Sequence, residues 1–293
     1  MKVDIHADDY AYSLNTSKDI IDCIKSGNLD SFSIICNTPY FEKCMGLLYK
    51  EIPYFEYLPL ISIHLCLPEG KTESGMLPMS WEKLFLNNYL NKRRLKKELK
   101  KEIRRQIEKT QNAIKKCIAI AKDNNVEVKQ IGIRIDSHVH THLIPAVWES
   151  LIEVIDENNY EIEYIRNPKE PILPFAKNNL LSYGIVNIIK NRILMAYSKK
   201  VDKYCDEHKL AKMFMWGLCM SGHMDIDRIK KIYPDMYKYA KERNRDLEIL
   251  FHPGTALKEE YLKEMNIDYF NDFNSSGNRR IEKEAVLRIK EVI

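Results

Sequence analysis

The chain has no run approaching the ~18 consecutive apolar residues that a membrane span needs. Its first six residues, Met1 to His6, are too polar for the apolar stretch of a signal peptide. Seven cysteines make an odd number, their spacing does not repeat and no CxxC occurs, so reduced thiols are expected rather than a disulfide framework. These absences predict a cytoplasmic protein with no membrane partner. Low-complexity segments and Gly/Ser-rich linkers are also lacking, and the 293 residues read as one domain, 1–293.

Net charge is small, +4, but unevenly spread. Between Lys92 and Lys116 stand twelve Lys/Arg and three Glu, a local +9 that leaves −5 for the rest. Leu95, Leu99, Ile103, Ile107, Ile114 and Ile118 recur there at spacings of three to four or their multiples. That spacing predicts an amphipathic helix with one buried stripe and a solvated basic face. No aromatic residue interleaves with the charges to stack on bases, so no nucleic-acid partner is expected.

Strand and helix patterns alternate from end to end. Val3 to Ala7, Ser31 to Cys36, Leu60 to His64, Gln130 to Ile135, Glu161 to Ile165, Phe214 to Leu218 and Leu247 to Phe251 read as strands. Helices are expected from Asn15 or Thr16 to Gly27, through Val147 to Ile155, and around Ile281 to Ile289. Ile185, Ile188, Ile189, Ile193 and Leu194 make residues 172–212 a helical insertion. Seven strands separated by helices argue for parallel βαβ connections. The expected fold class is α/β with about seven parallel strands.

Several strands end in groups that bind metal or move protons: Asp8-Asp9, His64, the segment Asp136-Ser137-His138-Val139-His140-Thr141-His142, and His252. Distant strand ends that deliver carboxylates and imidazoles are how an α/β barrel builds an active site. Each cluster has a plainer reading: an Asp pair caps a helix, a lone His64 sits hydrogen-bonded in the core, and His252 makes a turn before Pro253-Gly254. Their joint presence favours an enzyme. Adjacent aspartates on an extended strand point in opposite directions, which predicts separate roles for Asp8 and Asp9. His138, His140 and His142 face one way if extended, whereas a helix aligns only His138 and His142. Asp136 can orient an imidazole. Cys66 reads as a small core residue.

At these residues the chain resembles the YdjC-like carbohydrate deacetylases, which include chitooligosaccharide deacetylases and HpnK-type proteins. The resemblance is carried by Ala7-Asp8-Asp9-Tyr10, by His64-Leu65-Cys66-Leu67-Pro68-Glu69-Gly70, by the Asp136–His142 segment and by His252-Pro253-Gly254, with Ile165 to Pro171 and Ser221 to Asp225 beside them. It implies a distorted (β/α) TIM-like barrel and metal-dependent hydrolysis of the N-acetyl group of a mono- or oligosaccharide. By the same resemblance Asp9, His64 and His138 are the metal ligands, with His142 the second choice, and Asp8 the general base; His252, at a strand end and with an imidazole that titrates near neutral pH, is the candidate proton donor to the amine. Arg166 either places substrate or pairs with an acidic side chain, and His140 belongs to the same surroundings. Two imidazoles and a carboxylate suit zinc, cobalt, manganese or iron, whereas the family is often assigned magnesium, so one divalent ion, zinc or magnesium, is expected. The family's usual Asp-Asp-Phe-Gly is here Asp-Asp-Tyr10-Ala11, and its usual Asn is His6. Both departures are expected to bear on substrate choice, and His6 either crowds the site or serves as a further ligand. Rival readings are a metal-dependent phosphoesterase and a silent carbohydrate-binding protein. A homodimer is left open.

Overall fold

The computed structural model describes residues 1–178, 185–263 and 265–293. Residues 179–184, part of the expected helical insertion, lie outside the described residues. Among the described residues, seven strands form one all-parallel sheet: β1 (Val3–Tyr10), β2 (Ser31–Ile34), β3 (Leu60–Leu65), β4 (Ile133–Ser137), β5 (Ile162–Ile165), β6 (Met213–Trp216) and β7 (Asp246–Phe251). Their spatial order is β5-β4-β3-β2-β1-β7-β6. The sheet curls into a half-barrel. Beyond its edges one backbone bond, Met215 N–H to the Lys169 carbonyl at 3.1 Å, ties the segment after β5 to β6.

Helices cover the convex face. They are α1 (Leu14–Lys25), α2 (Phe41–Glu51), α3 (Trp81–Leu90), α4 (Lys92–Asp123), α5 (Pro145–Glu157), α6 (Ile185–His208), α7 (Ile226–Lys241) and α8 (Asn278–Leu287). Strand residues that face them are apolar and buried, such as Ile5, Ala7, Phe32, Ile34, Ile61, Ile63 and Ile135. The alternate positions are polar, and their bonds run across the concave side. Asp4 of β1 meets Arg134 of β4 at 3.1 Å, Ser31 bonds Asp4 and His6, and Tyr164 of β5 bonds Glu248 of β7. Period-two alternation thus makes one face a core and the other a polar basin.

The basic helix forms as predicted and runs further, to Asp123. Leu95, Leu99, Ile103, Ile107 and Ile114 are buried, and Ile118 is partly so. Lys92, Lys96, Lys100 and Arg104 pair with Glu149, Glu153 and Glu157 of α5. A second, polar stripe is also buried. Gln106 bonds both the N–H and the carbonyl of Cys66, and Glu102 accepts from the N–H groups of Glu73 and Ser74. Helix α4 therefore pins the loop that follows β3.

One strand boundary is corrected. The fourth strand begins at Ile133, not Gln130, because the Gln130 side-chain amide itself takes up the backbone N–H and carbonyl of Ile61, leaving Ile131 88% exposed. Helices α2, α3 and α7 had no expected counterpart. The insertion is helical as expected over Ile185–His208, with Leu194 buried and Ile189 exposed. The seven cysteines are free and buried. No described helix is long and apolar enough to cross a membrane.

Candidate metal centre

The catalytic-looking residues meet where the C-terminal ends of the strands open. Asp8 and Asp9 end β1, but the strand does not stay extended there. Pairing with β2 shifts register between Ala7 and Tyr10, and Asp9 has φ +70°. This kink overturns the expected opposite orientation. Both carboxylates reach the same imidazole: Asp8 Oδ1 lies 3.9 Å from Nδ1 of His64, and Asp9 Oδ1 lies 3.6 Å from its Nε2.

Asp9, His64 and His138 place ligating atoms all within 4.8 Å of one another, and all three are buried. They can hold a metal ion. The donor set fits one, because His64 is prepared for coordination: its Nδ1 lies 2.6 Å from Asp136 Oδ1. A carboxylate only accepts, so Nδ1 carries the proton and Nε2 keeps its lone pair toward Asp9. His138 places Nδ1 3.1 Å from Asp9 Oδ1 and Nε2 3.0 Å from Glu69 Oε1. Burial opposes charge on His138, but its hydrogen bonds to Asp9 and Glu69 win and push the imidazole up to about 10. Burial likewise opposes the Asp9 carboxylate, yet His138 and then Arg279 hold it below the usual range.

Asp8 stands beside this group. Its Oδ1 accepts from Ser33 Oγ and Arg166 Nη2, both at 2.9 Å, and faces His6 Nε2 at 3.1 Å. Oδ2 accepts from Arg166 Nη1 at 2.9 Å and faces His252 Nε2 at 3.9 Å. Burial alone would raise its pKa, but Arg166, then His64 and His6, keep the carboxyl well below the ordinary value. Asp8 is ionised at neutral pH.

Arg166 is fully buried and pairs with acidic side chains: besides Asp8 it reaches Asp136 at 3.2 Å and Glu248 at 2.7 Å. Two other groups of buried ligating side chains, Asp4/His6/Glu248 and His6/Asp8/Asp136, lie alongside. In each, a carboxylate already faces this guanidinium, which supplies the positive charge that an ion would otherwise bring.

The histidine segment is neither strand nor regular helix. It is a 3₁₀ turn with Val139 and His140 at φ +45° and +56°, so the three imidazoles diverge. His142 bonds the Arg166 carbonyl through Nε2 and Ser137 Oγ through Nδ1, and burial pushes it down to about 4. It holds the fold of the segment and stands outside the ligand group. His140 is buried with Nδ1 unpartnered, and burial, then Arg166, keeps it neutral. His252 follows β7 with its Nδ1 3.7 Å from Glu282, which accepts from the His252 backbone N–H at 2.6 Å.

Four neighbours had no role assigned from sequence: Glu69, Ser33, Arg279 and Glu282. Arg279 of α8 is buried against Asp9 at 3.4 Å and Asn274 at 2.6 Å. Ser33 was legible as the polar alternate of β2, whereas nothing local marks Arg279 among the other basic residues of its helix. Cys66 is a buried residue held by its backbone, and Tyr10 points into the core, its hydroxyl donating to the Cys44 carbonyl at 2.7 Å. Tyr10 is thus removed from substrate contact. Ala11, where the family has glycine, takes φ +69°. His6 lies beneath Asp8, between it and Ser31.

A family model described as YdjC-like protein matches residues 2–117 and 133–289. No protein of curated function matches significantly. Among solved structures, one from Enterococcus faecalis V583, whose description proposes cellobiose-phosphate cleavage, aligns with TM-score 0.50 at 14% identity over 98% of this chain and 95% of that one. At that identity it speaks for the fold alone. With the family model spanning nearly the whole chain, this protein belongs to the YdjC-like family.

Proposed function

We propose that this protein hydrolyses the N-acetyl group of an acetylated mono- or oligosaccharide with one divalent metal ion held by Asp9, His64 and His138. When bound, such an ion acidifies a water and polarises the amide carbonyl. The chain's own residues supply the rest. Asp8, kept ionised by Arg166, is the base that takes the water's proton. Its Oδ2 is the atom that does so, since Oδ1 already accepts from both Ser33 and Arg166. His252, braced by Glu282, gives a proton to the departing amine. The supporting observation is that Asp9, His64 and His138 bring ligating atoms together without Asp8, whose Oδ2 instead faces His252 at 3.9 Å.

The two-imidazole, one-carboxylate set suits zinc better than magnesium, which prefers oxygen. The deciding experiment offers N-acetylated sugars and phosphorylated sugars to metal-loaded protein and measures acetate and phosphate. Acetate from the first panel supports the proposal. Phosphate alone would establish the phosphoesterase, and binding without either product a carbohydrate-binding protein.

A further inference from the structure

The two histidines are braced crosswise. Asp136, two residues before His138, holds His64; Glu69, five residues after His64, holds His138. Each loop that carries one imidazole therefore carries the carboxylate supporting the other. Resting on the metal reading proposed above, we infer that Glu69 is a positioning residue of the centre. It holds Nε2–H of His138 and so leaves Nδ1, not Nε2, as the nitrogen that coordinates.

The geometry has a direction. Asp9 Oδ1 is the atom nearest both Nε2 of His64 and Nδ1 of His138, at 3.6 and 3.1 Å, so these three atoms converge. Nε2 of His138 lies across the ring and meets Glu69. Glu69 is not one of the side chains whose ligating atoms fall together within 4.8 Å, so it braces a ligand and does not join the set.

Glu69 is itself fixed, which lets it impose an orientation. Its Oε2 accepts from the Asn266 backbone N–H at 3.0 Å and from Tyr12 Oη at 3.4 Å, leaving Oε1 to His138. Its carbonyl accepts from Asn37 Nδ2 at 2.9 Å, and Gln106 of α4 clamps Cys66 at the start of the same loop. Gly70 follows at φ +81°, where a Cβ would sit 2.6 Å from the Asn37 carbonyl oxygen, so the close approach that sets the loop requires glycine. Tyr12 also stacks near the His138 ring, with centroids 6.4 Å apart. A ring fixed from two sides presents one nitrogen.

Supporting carboxylates of this kind are worth roughly 10–100-fold in metal affinity. The test is zinc affinity by chelator competition for the wild type, Glu69→Gln and Glu69→Ala, together with histidine-selective ¹⁵N spectra of the zinc-loaded wild type. Expected are a 10–100-fold weaker zinc complex for Glu69→Ala, a smaller loss for Glu69→Gln, which keeps an acceptor, and a His138 signature with Nδ1 coordinated and Nε2 protonated. Wild-type affinity in both variants, or coordination through Nε2, overturns the inference while leaving the metal reading intact. A wild type that takes up no zinc overturns both. The spectra need only the wild type, so they decide even if a variant fails to fold.

Discussion

Asp136 Oδ1 lies 2.6 Å from Nδ1 of His64, on the side of the ring opposite Asp9. That contact fixes the tautomer of a buried imidazole and leaves one lone pair for an ion. Asp136→Asn keeps the shape but removes the charge, and it should weaken zinc about 10–100-fold. Chelator competition measures the loss; an unchanged affinity would make Asp136 merely a partner of Arg166.

Asp8 and Asp9 separate by function although they adjoin in sequence. Asp8→Asn should retain zinc within about two-fold of wild type, since Asp8 lies outside the ligand group, while acetate release falls by about 10²–10⁴. Parallel metal analysis and acetate assay of the purified variant check this. Loss of metal together with turnover would place Asp8 among the ligands.

The two departures from the family pattern after Asp9 bear on stability. Ala11 occupies a left-handed conformation that costs an L-residue roughly 1–2 kcal/mol, and the added chain entropy of glycine returns part of it, so Ala11→Gly should stabilise by roughly 0.5–1 kcal/mol. Tyr10→Phe removes a buried bond to Cys44 and should destabilise by about 1 kcal/mol. Urea unfolding measures both changes. Neither variant should alter which sugar is turned over, and a changed substrate preference in Tyr10→Phe would put that side chain back in the site.

Much of this was legible from residue order. Strand ends were readable because apolar alternation stops where Asp8, His64, Asp136 and His252 begin. The orientations were not. Period-two reasoning predicted diverging aspartates, but a register shift and the positive φ of Asp9 depend on how β1 meets β2, which no local pattern encodes. The three histidines fitted a strand or a helix, and the segment is neither, with Val139 in a conformation unfavourable to a β-branched residue. Glu69 was in view within the motif, but its role depends on Asn37, Gln106 and Asn266, all distant in sequence.

Glu282 gives a pH prediction separate from the ligands. Burial raises it from 4.5 to about 7, against the pull of Arg279 and backbone N–H groups. Between those values the folded chain binds more protons than the unfolded one. The contribution to stability is therefore fully present below pH 4.5 and is lost as pH rises through 7. Glu282→Gln cannot titrate, so wild type should lose stability relative to this variant between pH 5 and 7.5. Urea unfolding of both proteins across that range measures the difference; parallel pH curves would contradict the assignment.

The proposed chemistry requires one cation shared by Asp9, His64 and His138, with Asp8 left free. Anomalous scattering at the zinc edge from crystals grown with zinc tests it most directly. One strong peak within bonding distance of Asp9, His64 Nε2 and His138 is expected. A peak among His6, Asp8 and Asp136, or none at Asp9, would contradict it.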